Sequence, residues 1–201
     1  MIDAAHPRDS GTAPPASQQL DPLDATCTAA FRTAGRGERI RHSVRPCALG
    51  HLLVAATMRG VCRVELDDRP DVLEASVRSR FAAAEFVAPD ATFTGWMDLV
   101  LAAAASPGTA NAVPLDLRGT AFQHVVWRAL CAIPPGSTAS YRGVAENIGR
   151  PGAARAVAGA CAANPVALLV PCHRVVREDG GLGGFRWGLA RKRQLLESER
   201  G

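Results

Sequence analysis

Three short apolar runs between residues 40 and 68 constrain the fold more than any other feature of the chain. They read IRHSVRPCALG, GHLLVAAT and GVCRVELDD, and they are interrupted at Pro46, Gly50 and Gly60. Short runs of this kind, bounded by glycine or proline, are typical of strands joined by tight turns. The sequence therefore predicts a meander of antiparallel strands.

The second half of the chain changes to helical spacing. An amphipathic helix is predicted over 122–133, and two shorter helices, over 141–148 and 151–163, flank a turn at Gly149. Two short helices around a glycine turn are typical of a helix-turn-helix, although an ordinary helical hairpin has the same pattern. A last helix is predicted over 188–199.

These elements predict an α/β (α+β) fold with two domains. The first, over 38–117, is a small α/β domain with a short antiparallel sheet and helices over 70–84 and 96–105. The second, over 118–201, is mostly helical and contains the helix-turn-helix. Residues 1–37 are rich in Ala, Pro, Ser, Gly and Thr without clean periodicity, so we expect a disordered tail there.

Composition excludes several classes of protein. Apolar residues make up 47% of the chain and charged residues 21%, which is typical of a globular protein. No apolar run approaches the ~18 residues of a membrane span, and the first residues lack the features of a secretory signal. We therefore expect a cytoplasmic protein that does not bind membranes. The six cysteines form no CxxC pair, which argues against a zinc finger.

The positive charge is concentrated in the second half. Residues 118–201 carry 12 Lys and Arg against 5 Asp and Glu, which suggests a polyanionic partner. Within this half the helix sequence GAARAVAGACAAN has one long side chain, Arg155, among small residues. Such a smooth helix can lie against the minor groove of double-stranded DNA, with Arg155 reaching the base stack. A tightly packed helix with a lone surface arginine explains the pattern equally well.

A cysteine followed by a histidine, Cys172-His173, interrupts an apolar run over 165–176 that predicts a buried strand or extended segment. The pair is a candidate activated thiol, because a thiolate nucleophile needs a nearby base; a buried structural cysteine is the alternative. Adjacent residues on a strand point to opposite faces, so contact requires a bridging water or a turn at Pro171. Glu199 shares the inward face of the last helix and could orient His173; a solvated carboxylate near the chain end is the alternative.

Several segments together resemble the O6-alkylguanine-DNA alkyltransferase family. They read GTAFQHVVWRALCAIPPGSTASY, RAVAGACAANP, VPCHRVV and GGFRWGLARKRQLLESE. The resemblance is dense over 115–199 and looser over 40–114. VPCHRVV together with the upstream helix pair is highly specific.

The resemblance implies direct DNA repair, in which one alkyl group moves irreversibly from O6-methylguanine, and from O4-methylthymine, to Cys172 after base flipping. His173 would activate the thiol through a water, Glu199 would orient His173, and Asn164 would order the surrounding hydrogen bonds. The remaining roles fall into two groups. Tyr141, Arg155 and Ala154 would bind DNA and support base flipping, and Val175, Phe185 and Arg186 would line the guanine pocket.

The resemblance also implies a monomer that needs no cofactor and no obligate protein partner. Phe185 stands where many relatives carry Tyr. Neither the zinc-binding Cys/His arrangement nor the four-cysteine module of some relatives is recognisable, so we expect no metal. Two other functions fit parts of the sequence. One is a lesion-sensing helix-turn-helix protein without transfer, which would lack the acceptor cysteine; the other is a Cys-His hydrolase, which would leave the smooth helix and Arg155 unexplained.

Overall fold

A computed structural model describes residues 34–106 and 113–200 of the chain. The predicted tail therefore lies outside the described residues except for its last four, which form a turn. Among the described helices, none is both long and apolar enough to cross a membrane.

A four-stranded sheet forms the first half. Strands β1 (Arg39–Cys47), β2 (Gly50–Ala56) and β3 (Val61–Asp67) are antiparallel neighbours, and β4 (Glu85–Phe86) pairs parallel to the start of β1. The predicted meander is confirmed. The sequence predicts an interruption at Pro46, but this residue lies inside β1. Beyond Ile40, β1 pairs on one side only, and such an edge tolerates a residue without an N–H.

Two helices cover this sheet, α1 (Pro70–Arg80) and α2 (Ala91–Ala105). Proline at the first turn of α1 suits a helix start, and Leu73 and Val77 are buried as the spacing predicts. Helix α2 begins five residues earlier than predicted. The reason is a cap: the Asp90 carboxylate accepts a hydrogen bond from the Phe93 N–H at 2.9 Å, which fixes the first turn.

Four α-helices follow in the second half: α3 (Ala121–Cys131), α4 (Tyr141–Asn147), α5 (Ala154–Ala162) and α6 (Leu189–Ser198). Helix α3 begins with a capping box, in which Thr120 and Gln123 bond each other's backbone N–H. The spacing of Phe122, Val125 and Ala129 predicts that Val125 lies on the apolar face of α3, yet Val125 is 44% exposed and Trp127 is buried. The Trp127 indole donates to the Ala160 carbonyl at 2.9 Å and joins α3 to α5.

The turn between α4 and α5 is longer than predicted. Ser140 caps α4 by accepting from the Gly143 N–H at 2.9 Å, and Gly149 follows α4 with a φ of 69°, a left-handed conformation that favours glycine. Helix α5 begins at Ala154 rather than Pro151, because residues 150–153 form a turn. The two helices pack together, but their use as a helix-turn-helix stays a prediction.

One large hydrophobic cluster joins the two halves. It contains Val64 and Leu66 from the sheet together with Val126, Val166 and Leu195 from the second half. The two predicted domains therefore share buried contacts, and the boundary at residue 117 stays a prediction.

Candidate active site

The segment that carries Cys172 is anchored to the sheet. The Val64 N–H of β3 donates to the Pro165 carbonyl at 2.9 Å, and its carbonyl accepts from the Ala167 N–H at 3.2 Å. Leu168 then adopts a φ of 71°, which is uncommon for a residue with a side chain and turns the chain sharply. This anchoring fixes where the next residues lie.

The predicted strand over 165–176 is wrong for most of its length. A single 3₁₀ turn, Cys172–Arg174, follows Pro171, and only Val175–Val176 (β6) is extended, parallel to β5 (Ala139–Ser140). The rule that adjacent strand residues point to opposite faces therefore does not apply to Cys172 and His173, because both belong to a helical turn. The expected turn at Pro171 is present.

The Cys172 thiol is buried, with 5% of the residue exposed. Its sulfur accepts a hydrogen bond from the Asn164 amide at 3.2 Å, and the same amide donates to the Val170 carbonyl at 2.8 Å. The Asn164 carbonyl accepts from the Val166 N–H at 3.0 Å. Burial raises the pKa of Cys172, and the Asn164 hydrogen bond opposes that rise only in part. The resting thiol is therefore protonated and needs a base.

Glu199 is the charged end of this site. Its carboxylate is fully buried and accepts from His173 Nε2 at 2.8 Å, from the Arg174 guanidinium at 2.9–3.1 Å, and from the Gly136 N–H at 3.1 Å. Burial alone would raise the pKa of Glu199, but these hydrogen bonds outweigh burial and lower it to about 2. Glu199 is thus a buried, ionised carboxylate, and the alternative of a solvated carboxylate near the chain end is wrong.

The Glu199 contact determines the tautomer of His173. An ionised carboxylate only accepts, so Nε2 of the imidazole carries the hydrogen. Burial lowers the pKa of His173, and contact with Glu199 opposes this only in part, so the ring is neutral near pH 7. Its buried Nδ1 has no hydrogen-bond partner among the residues that the structure describes. Nδ1 is therefore a free acceptor on the residue that follows Cys172 in the chain, and a neutral imidazole nitrogen of this kind can take a proton.

A pocket of about 330 Å³ opens onto Cys172. Among the predicted pocket residues, Phe185 and Arg186 line it, while Val175 is not among the lining residues. The Phe185 ring packs edge-on against Trp187, with centroids 5.1 Å apart. The other lining residues are Tyr141, Ala158, Cys161, Ala162 and Gly184. The small side chains on α5 leave room in the pocket for a flat ring.

Of the three residues predicted to bind DNA, only Tyr141 lines this pocket. Tyr141 is the first residue of α4 and lines the pocket, and a Cβ built on Gly183 would approach its hydroxyl to 2.9 Å. Gly183 also has a φ of 65°, so both space and conformation require glycine there. Ala154 and Arg155 form the first turn of α5; Arg155 is exposed and does not line the pocket.

Sequence reasoning missed three residues of the site. Arg174 clamps Glu199 and donates to the Ile133 carbonyl at 2.6 Å. Cys161 is a second thiol in the pocket, and Lys192 is fully buried on α6. The helical spacing of Lys192, Leu195, Leu196 and Glu199 was a usable signal, because residues three, four and seven apart share one face. No group of three or more possible metal ligands occurs within 34–106 and 113–200.

Comparison with known proteins supports the resemblance. Residues 121–201 match the family model of the 6-O-methylguanine DNA methyltransferase, DNA binding domain. The chain is 46% identical over 169 residues to the Escherichia coli bifunctional transcriptional activator/DNA repair enzyme Ada, a match that covers 84% of the chain and 48% of Ada. The chain thus spans about half the length of that relative.

Two further relatives are matched over most of their length. The inducible methylated-DNA–protein-cysteine methyltransferase of Bacillus subtilis is 37% identical, with 73% of this chain and 83% of the relative covered. The crystal structure of Mycobacterium tuberculosis OGT in complex with DNA superposes with a TM-score of 0.64 at 37% identity, covering 81% of this chain and 92% of OGT. The chain therefore belongs to the O6-alkylguanine-DNA alkyltransferase family, also called methylated-DNA–protein-cysteine methyltransferases.

Proposed function

We propose that this chain repairs alkylated DNA directly, by transferring one alkyl group irreversibly from O6-methylguanine to Cys172. The observation that carries the proposal is a buried thiol that lines a pocket and is followed in the chain by a neutral His173, which is hydrogen-bonded to an ionised Glu199. The names of the relatives describe the same chemistry. The reaction needs a reduced thiol, which suits the cytoplasmic location predicted from the sequence.

The transfer step follows from which groups of the site can accept and donate a proton. His173 Nδ1 takes the thiol proton through a water, and the imidazolium that forms is stabilised by Glu199. The Cys172 sulfur attacks the methyl carbon, a C–S bond forms, and the bond from carbon to O6 breaks. The electron pair stays on the guanine, which then takes up the proton, and the protein becomes a thioether. A thioether is not hydrolysed back to a thiol, so each chain acts once.

The base must leave the helix to reach Cys172, because a stacked base cannot present its O6 substituent in line to a buried sulfur. We place α4 and α5 against the minor groove as a helix-turn-helix, with the small residues of α5 near the backbone. Arg155, exposed at the start of α5, would occupy the gap in the stack, with Ala154 beside it. Tyr141 would contact the extruded nucleotide at the pocket rim.

The pocket is expected to hold guanine between Phe185 and the small face of α5, with Arg186 at its edge. Val175 would contribute from behind the thiol. O4-methylthymine is the second expected substrate, because it presents the same kind of alkylated oxygen. The protein would act as a monomer without cofactor, metal or obligate protein partner.

Stoichiometry tests the proposal. With excess duplex containing O6-methylguanine, methyl transfer should plateau at one group per chain. Cys172→Ser should abolish transfer and keep DNA affinity, and Cys131→Ser, a change at an exposed cysteine outside the pocket, should transfer normally. Sustained turnover would refute suicide transfer. Binding of the lesion without any transfer by the unaltered chain would favour the lesion-sensing alternative.

A further inference from the structure

Lys192 is the only lysine among the 23 Lys and Arg residues of the chain. A chain that uses arginine at every other basic position keeps lysine at one place, and that place is wholly buried. Burying an ammonium is unfavourable unless it is paired and hydrogen-bonded. The position therefore needs a physical reason.

The hydrogen bonds of Lys192 join the segment that follows the Cys172 turn to one wall of the pocket. Its ammonium donates to the Val175 carbonyl, just after the Cys172 turn, and to the Gly184 carbonyl at 3.3 Å. Gly184 begins the pocket wall that continues through Phe185 and Arg186. A compact ammonium suits two carbonyls, whereas the larger guanidinium would bring five donors to the same space. This explains why arginine does not replace lysine here.

The charge of Lys192 has no carboxylate partner among the described residues, and it acts on the pocket thiols instead. It lowers the pKa of Cys172 and of Cys161 against the effect of burial, and negative charge on either thiol raises the pKa of Lys192 in return. Titratable groups reach Cys172 from several elements: Tyr141 on α4, Cys161 on α5, Lys192 on α6, and the adjacent His173. Arg186 lines the same pocket but is exposed, so Lys192 is the buried cation of this set.

We propose, building on the alkyl transfer proposed above, that Lys192 is a positioning residue that holds a positive charge near the Cys172 thiolate and ties the segment after the Cys172 turn to the Gly184 wall of the pocket. In the transfer step the thiol proton goes to His173, and Lys192 keeps its own proton throughout. Its charge balances the sulfur while the thiolate exists. Once the sulfur is a neutral thioether, Lys192 is left without a counter-charge.

The single lysine makes a direct test available. Protein labelled with ¹³C at the lysine side chain should give one lysine signal, and its titration reports Lys192 alone. Capping Cys172, by methyl transfer or by iodoacetamide, should lower the pKa of Lys192 by about one unit or more, because it removes the thiolate that otherwise forms as the pH rises through the lysine titration. An unchanged lysine titration after capping would overturn the inference.

A kinetic test separates charge from packing. Lys192→Met should slow iodoacetamide capping of Cys172 about 10-fold at pH 7 and much less at a pH where the thiol is fully ionised. Arg193→Gln removes the same charge from an exposed neighbour on α6 and should leave capping unchanged. An equal decrease in the capping rate at both pH values would indicate a packing role for Lys192 and contradict the proposal. If Lys192→Met does not fold, the lysine titration of the unaltered chain tests the proposal by itself. Iodoacetamide reacts without DNA, so both tests can be carried out even if the chain does not transfer methyl groups.

Discussion

Replacing Glu199 with glutamine should destabilise the protein in a pH-dependent way. Three neighbours, His173, Arg174 and Gly136, donate to its fully buried carboxylate, and together they lower its pKa from the ordinary value of 4.5 to about 2. Since one pKa unit corresponds to about 1.4 kcal/mol, this shift contributes about 3 kcal/mol to the free energy of unfolding at pH 7.

The sign of the effect follows from the direction of the shift. A group whose pKa is lower in the folded state stabilises the fold above its unfolded value, here pH 4.5, and loses that effect as the pH falls toward 2. At pH 3 about 1 kcal/mol of the Glu199 contribution to the free energy of unfolding remains. Glutamine carries no charge at any pH, so the stability difference between Glu199→Gln and the unaltered chain should shrink by about 2 kcal/mol between pH 7 and pH 3.

Urea unfolding at pH 7, 5, 4 and 3 measures this difference. Glu197→Gln is the matched control, because it removes a carboxylate from an exposed position on the same helix and should change stability little at any pH. If Glu199→Gln were equally destabilising at pH 7 and pH 3, the ionised, hydrogen-bonded carboxylate described above would be refuted.

Three further predictions concern other parts of the site. Asn164→Ala removes three hydrogen bonds and leaves the Val166 N–H unpaired, while the Val170 carbonyl keeps only its bond from the Cys172 N–H. The substitution should lower the free energy of unfolding by about 2–3 kcal/mol in urea titrations, and a loss below 1 kcal/mol would contradict this role. Arg155→Ala should slow methyl transfer from duplex DNA by ~10-fold or more, because unstacking the base costs a few kcal/mol. Transfer from free O6-benzylguanine needs no unstacking and should hardly change. Equal effects on both substrates would indicate a structural role for Arg155. Affinity for duplex DNA should fall steeply with salt and vary little with flanking sequence, whereas a strong sequence preference would favour a regulatory DNA-binding protein.

The sequence predicted the elements whose signals are local. Short apolar runs bounded by glycine predicted β1 to β3, and Ser140 at the start of α4 caps as its residue type suggests. The early start of α2 was missed because periodicity marks the buried turns of a helix, while the Asp90 cap lies before them. Local pattern thus predicts which element forms better than where it begins.

The segment around Cys172 could not be predicted locally. Its apolar run indicates a strand, yet the structure has a turn at Leu168 and a 3₁₀ turn at Cys172, held in place by pairing of Val64 with residues about a hundred positions away. That pairing is a tertiary contact that overrides local propensity. The closeness of His173 to Glu199 was anticipated from the inward face of the last helix.

The buried charges were the least predictable part of the site. Arg174 and Lys192 have the sequence context of ordinary surface cations in a basic segment. Only the packed structure shows that Arg174 bonds to Glu199 and that Lys192 donates to the Val175 and Gly184 carbonyls. Lys192 nevertheless carried a signal in the sequence, since it is the one lysine in a chain of arginines. Its helical register with Glu199 placed it on the inward face.

The position of the transferred methyl group tests the central claim most directly. Two thiols, Cys172 and Cys161, line the same pocket, but only Cys172 accepts a hydrogen bond from Asn164 and directly precedes His173, which is hydrogen-bonded to Glu199. Peptide mass mapping after reaction with duplex containing O6-methylguanine should place one methyl group on the Cys172 peptide and none on the Cys161 peptide. A methyl group on Cys161, or an unmodified Cys172 after full reaction, would contradict the account.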